Sequence, residues 1–360
     1  MRTKTAIWTC ILAVVLAEVT GAIRVSATTP GSLADYRIVA PSTEAGQTAT
    51  LLADGRWLLL GGLVDGQATH TARVLDRVTG ITATLPGRML FVRAFHTATV
   101  LPDGTVFVFG GVGQDGADRN TAEIFDPANN SFSLFPYTNL AARSHHTATL
   151  LTSGELLIAG GDGDAVVFDP VTRTITRSMA APQPARYDAS AALLTDDSVL
   201  IWGGVDAHGT AIPDAALFNS GDLTVSILDA SRAEELSGPS SAVPLGVAAT
   251  VPADHDGAVP MNTRIAVRFS KYLQVTSINS STVTLSGPSG RLAAHVVATN
   301  SGQQLFVTPA AELMPASRYT LSMNGLTDGI HDMPFGSIDF TTAPIALDDP
   351  NDGPWIPAAG

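Results

Sequence analysis

Carboxylates and guanidinium groups recur at matching places along this 360-residue chain. Asp65, Asp115, Asp162 and Asp206 each follow a Gly-Gly pair, in polar stretches that also hold Asp118, Asp164, His70 and His208. Arg93, Arg143 and Arg186 each stand just before a β-branched run. Acidic loops around a recurring arginine can hold a polar ligand through charge-assisted hydrogen bonds. The same residues also have a structural use, because Asp and Gly form turns and an arginine can tie neighbouring elements together. The sequence leaves both uses open.

Other chemistry finds less support. His96 and His146 fill one slot of a repeat, where Gln47 and Ala189 stand in the other units. Such slots lie too far apart to share an ion, and His145 and His146, being adjacent on a strand, face opposite ways. A histidine hydrogen-bonded between units is the expectation, and no metal or other cofactor is expected. Trp57 and Trp202 read as core. No G-x-S-x-G elbow, H-E-x-x-H pair or phosphate-cradling glycine loop occurs. Asp348-Asp349 and Asn351-Asp352-Gly353 miss the spacing of a calcium loop. A net charge of −13 argues against a nucleic-acid partner, which would need a basic stripe to release counterions.

The elements that must position these groups are short strands. Gly61-Gly62, Gly110-Gly111, Gly160-Gly161 and Gly203-Gly204 close four versions of one phrase: 47–62, 96–111, 146–161 and 190–204. In 96–111, Thr-Ala-Thr-Val-Leu and Thr-Val-Phe-Val-Phe flank Pro102-Asp103-Gly104, which reads as two strands around a hairpin turn. A third strand ends at Asp76, Asp126 or Asp169, and a fourth follows, such as Ser131–Phe135. Four antiparallel strands per unit of 43 to 50 residues fit one propeller blade.

These phrases resemble the bacterial kelch repeat, of the kind found in the central domain of galactose oxidases, over residues 36–229. The resemblance implies a β-propeller but no single activity. Tyr36–Ala40 and Leu223–Leu228 both read as fourth strands, so five fourth strands accompany four three-strand cores. That count implies an open or partial ring with bare ends, within a longer protein.

Residues 230–242 read as a linker. From 243 to 344 the repeat gives way to period-two alternation, in Ile265–Phe269, Thr282–Leu285, Leu305–Val307 and Tyr319–Met323. A small antiparallel sandwich follows from that pattern. Its phrases, Val259-Pro260-Met261-Asn262-Thr263 and Tyr319-Thr320-Leu321 among them, resemble the bacterial Ig-like domain of surface-layer and secreted proteins, which implies a spacer or adhesive module. Residues 345–360 are acidic and Pro-rich, a linker by composition. The tandem resembles the N-terminal part of larger exported YD-repeat (RHS-type) proteins.

The start of the chain reads as an export signal. Arg2 and Lys4 precede an apolar stretch, Ala6 to Ala17, too short to span a membrane, and small residues lead to a cleavage point after Val25-Ser26-Ala27, with Val19-Thr20-Gly21 as second choice. Removing residues 1–27 takes away Arg2, Lys4, Arg24 and Glu18, a charge of +2, so the mature chain carries −15. It also removes Cys10, the one cysteine. An oxidase of the galactose or glyoxal type, whose radical cofactor needs a cysteine joined to a tyrosine, is therefore disfavoured. The expectation is an all-β, secreted or cell-surface, non-catalytic binding or scaffold module, with a protein or glycan partner and no integral membrane segment. A glycan-recognising accessory domain of an enzyme or toxin is the alternative.

Overall fold

The computed structural model describes residues 40–136, 139–179, 184–222, 224–237 and 244–344. The export signal, most of Tyr36–Ala40 and the acidic tail lie outside these residues.

Residues 47–228 form four four-stranded antiparallel sheets, each built from consecutive segments paired in chain order. Sheet I comprises Gln47–Leu51, Trp57–Gly61, Ala72–Leu75 and Thr82–Thr84. Sheet II comprises Thr97–Val100, Val106–Phe109, Ala122–Asp126 and Ser131–Phe135. Sheet III comprises His146–Leu150, Leu156–Gly160, Ala165–Asp169 and Thr174–Met179, and sheet IV Ser190–Leu193, Val199–Trp202, Ala215–Phe218 and Val225–Leu228. Each described sheet thus takes its fourth strand from the segment that follows its third.

The first strands of successive sheets lie side by side, and the sheets stack face to face. Second strands are buried on both faces, which is why WLLLG, VFVF, LLIAG and VLIW are continuous apolar runs rather than alternating ones. Leu58 and Leu60 of sheet I meet Val106 and Val108 of sheet II. Phe107 and Phe109 meet Ile158 and Phe168 of sheet III. Leu157 and Val167 meet Val199, Ile201 and Phe218 of sheet IV.

The turn between first and second strands uses a left-handed residue, which favours glycine. Gly55, Gly104 and Gly154 hold φ near 90° there, and Asp197 takes the slot in sheet IV with φ 69°. The backbone N–H of each donates to the carbonyl three residues back, at 2.9–3.1 Å.

Residues 247–342 form a sandwich. One sheet has the order Val247–Val251, Ile265–Phe269, Gln304–Pro309, Ala294–Thr299. The other runs Asp256–Val259, Gly336–Thr342, Arg318–Met323, Val283–Gly287, Gly290–Leu292. All four stretches expected from alternation carry a strand: Ile265–Phe269 with the same bounds, the others as Val283–Gly287, Gln304–Pro309 and Arg318–Met323.

Two expectations need correction. The stretch read as a linker from 230 is helical over Ala230–Ser237, started by Asp229, whose carboxylate accepts the Arg232 N–H at 2.9 Å. Ala233 and Leu236 of this helix cover Leu200 and Ala215 on the outer face of sheet IV. Nor is the other end bare, because Leu51 and Trp57 of sheet I are buried in one cluster with Val275 and Ile278 of the sandwich. The sandwich is no loose appendage. Its Ala266 and Phe306 pack with Leu101 and Leu150, and its Val297 with Leu52 and Val100, so it sits beneath the first-to-second-strand turns.

Candidate functional site

The Gly-Gly pairs and the entries to the first strands share the opposite end of the sheets. The three arginines expected there are not in the open. Arg93, Arg143 and Arg186 are all buried. Each joins two sheets. The Arg93 carbonyl accepts from Gly62 N of sheet I at 3.1 Å, while its guanidinium donates to Gly110 O at 2.6 Å and Thr121 O at 3.0 Å in sheet II. The carbonyls of Arg143 and Arg186 likewise accept from Gly111 N and Gly161 N. Their guanidinium groups donate to Asp164 O at 2.9 Å and to Asp214 O at 2.9 Å.

Two of the three buried guanidinium groups have a carboxylate partner. Arg93 pairs with Glu123 at 2.9 Å, both side chains fully buried. Burial lowers the Arg93 pKa and raises that of Glu123, while each partner's charge opposes the shift of the other. Arg186 pairs with Asp214. The Gly-Gly pairs are needed because a Cβ on Gly61 or Gly110 would lie 2.3 or 2.5 Å from the carbonyl oxygen of Arg93 or Arg143.

His96 and His146 hold the sheets together one layer below. Thr48 Oγ1 lies 3.1 Å from His96 Nε2, and Thr97 Oγ1 lies 3.0 Å from His146 Nε2, each pair spanning two sheets. Burial, with the Arg93 charge adding to it, pushes His96 down to about 3, and burial lowers His146 well below its ordinary value. Both imidazoles are neutral. At the junction of sheets III and IV, Ala189 stands in the histidine slot, and Thr147 Oγ1 turns to Ala159 O instead.

The acids do not converge. Asp65 is exposed in the turn between Leu63–Val64 and Gln67–Ala68. Asp115 accepts from Ala117 N at 3.1 Å and pairs with Arg119 at 2.9 Å. Asp206 accepts from Thr210 N and His208 N, and these bonds, the Thr210 one foremost, lower its pKa. Asp162 alone reaches the central cluster, where Tyr187 Oη donates to its carboxylate.

That cluster was missed in the sequence. Gly46, Phe95, His145 and Asp188 each precede a first strand and each has φ between 54° and 68°, a conformation disfavoured for all but glycine. Their backbones form a ladder: Phe95 N donates to Gly46 O at 2.8 Å, His145 N to Phe95 O at 3.0 Å, and Asp188 N to His145 O at 3.0 Å. The Phe95 and His145 rings stack at 4.0 Å, and Tyr187 meets His145 edge-on at 6.5 Å. His145 Nδ1 lies 2.8 Å from Asp188 Oδ1, with the Asp188 side chain 42% exposed. The signal was there: this position varies, Gly, Phe, His, Asp, inside an otherwise repetitive phrase. Among the described residues no group of three or more His, Cys, Asp or Glu side chains is placed to hold a metal ion.

Comparison with known proteins identifies one part of the chain. The bacterial Ig-like domain family matches residues 241–342, so the sandwich is a bacterial Ig-like domain. Such domains are typical of surface and extracellular proteins and fit a binding or scaffold role. No curated protein matches the chain. Among solved structures it is similar to a fungal alcohol oxidase of the AA5 family in complex with copper, at 12% identity and a TM-score of 0.38, over 83% of this chain and 85% of that one. No described helix is long and apolar enough to cross a membrane.

Proposed function

We propose that the chain is an exported, non-catalytic binding module, in which the four sheets are kelch-type blades of a propeller and the Ig-like domain is its base. The binding face is the one bearing the Gly-Gly pairs, and its ligand is a surface protein or glycan. One observation carries this reading: four side chains of mixed aromatic and polar character, Phe95, His145, Tyr187 and Asp188, are gathered at one place with Asp162. Three of them sit on strained backbone. Strain of this kind persists where the surroundings over-determine it, and it clusters at binding sites. Loop-borne polar groups on a rigid scaffold are the usual form of a recognition surface.

The test is a glycan array and a panel of immobilised surface proteins, probed with the full chain and with Tyr187→Ala and Asp188→Asn. The expected result is a specific ligand whose binding falls at least tenfold in both variants, with little change in melting temperature. Binding that survives both substitutions, or turnover of a substrate by the unmodified chain, overturns the reading.

A further inference from the structure

The junction between sheets III and IV differs from the other two at three levels. It lacks the threonine–histidine tie, because Ala189 replaces the histidine. Above, His145 meets Asp188 and Tyr187 meets Asp162, so the candidate site straddles this seam. Below, the seam is joined by a residue that breaks the repeat. Gly55, Gly104 and Gly154 occupy the left-handed turn position in sheets I to III, and Asp197 occupies it in sheet IV.

Asp197 is costly there as backbone, since φ 69° favours glycine. Its carboxylate, however, gathers groups from three parts of the molecule. It accepts from Arg268 Nη1 of the Ig-like domain at 2.7 Å, from Ser220 Oγ of sheet IV at 2.9 Å, and from the Thr152 hydroxyl of sheet III. Arg268 is buried and also donates to Thr152 Oγ1 at 3.0 Å and Thr195 O at 2.5 Å. One guanidinium thus bridges the Ig-like domain to both sides of the seam.

We propose that Arg268 and Asp197 are a latch through which the Ig-like domain fixes sheet IV against sheet III, with Arg268 a positioning residue for Tyr187 and Asp188 on the far face. The apolar core between the sheets and the Arg177 bonds to Ser220 O and Gly221 O hold the seam elsewhere, but among the described residues only the latch links it to the Ig-like domain by an ion pair. That the latch positions a binding site rests on the function proposed above; the latch itself does not.

Asp197→Gly separates the alternatives. If Asp197 were a tolerated turn residue, glycine would relieve the backbone and stabilise the chain. As a latch residue, its loss speeds amide exchange at least tenfold in residues 184–222 and leaves residues 97–135 unchanged, in the full chain without ligand. Arg268→Met does the same, and the double variant is no worse than either single one. The missing tie supplies a rescue. His96 and His146 lie over Gly61 and Gly110, whereas the nearest atoms to the equivalent point over Gly160 are backbone, so Ala189→His would place an imidazole towards Thr147. In the Asp197→Gly background it should restore protection. Unchanged or slower exchange in Asp197→Gly, or losses that simply add, overturn the latch. Failure of the rescue would show that the lost protection does not come from this seam, and would overturn the latch as well. None of these outcomes depends on finding a ligand, so failure of the latch and failure of the binding reading are separate results.

Discussion

Replacing Arg93 by alanine distinguishes a ligand-binding arginine from a structural one. In this structure the change removes two bonds to backbone carbonyls, Gly110 O and Thr121 O, and leaves Glu123 fully buried with its guanidinium partner gone. The Leu90 N–H, which donates to Glu123 at 2.6 Å, is an incomplete substitute. Breaking one side of a buried ion pair costs about 3–5 kcal/mol, because the remaining charge stays out of water. At roughly 2–4 °C per kcal/mol for a chain near this size, the melting temperature should fall by about 10 °C. The deficit should depend on pH. Burial already raises the Glu123 pKa above 4.5, and losing the Arg93 charge raises it further. The folded variant then binds a proton that the unfolded chain releases, so the loss is greatest at neutral pH and shrinks as pH falls towards 4.5. Arg93→Met with Glu123→Leu, which removes both charges, should cost far less. Circular dichroism melts at pH 7 and pH 5 measure all of this. An unchanged melt in Arg93→Ala, with ligand binding lost, would show that the arginine faces outward and would refute the assignment.

Three further outcomes are expected. His96→Gln should flatten the acid side of the stability profile: a histidine near 3 when folded and 6.5 when unfolded contributes stability above pH 6.5 that is lost, at up to about 1.4 kcal/mol per pH unit, as pH falls towards 3, and urea titrations across that range measure the slope. Gly61→Ala should destabilise by about 3–5 kcal/mol, since it adds a clash with the Arg93 carbonyl to the left-handed cost, whereas Gly66→Ala, with open space around it, should cost about 1–2 kcal/mol in the same denaturation assay. N-terminal sequencing of exported material should begin near Ala22 or Thr28, and an intact Met1 on cytosolic protein would sink the export signal.

The sequence by itself determined the repeated strands of the four sheets and four of the nine strands of the sandwich. Their signals are local: β-branched runs, a left-handed turn residue, a Gly-Gly stop, and period-two alternation at Ile265–Phe269 and Tyr319–Met323. It also placed His96 and His146 between units, since one repeated slot filled alike implies one repeated contact. It could not say which way a polar side chain points. Arg93, Arg143 and Arg186 were equally suited to an open face or to a buried tie, and only the stacking of one sheet on the next put carbonyl oxygens around their guanidinium groups. Likewise Phe95, His145 and Asp188 lie some 43 to 50 residues apart, and no local pattern reports that their entries converge on one ladder. Asp197 is the plainest case. In the sequence it is a flaw in a repeated turn; in the fold it meets Arg268, 71 residues away, because the Ig-like domain packs beneath the turns rather than trailing behind them. Contacts made by a side chain across so long a stretch of chain are set by packing, and packing is decided only when all the elements are in place.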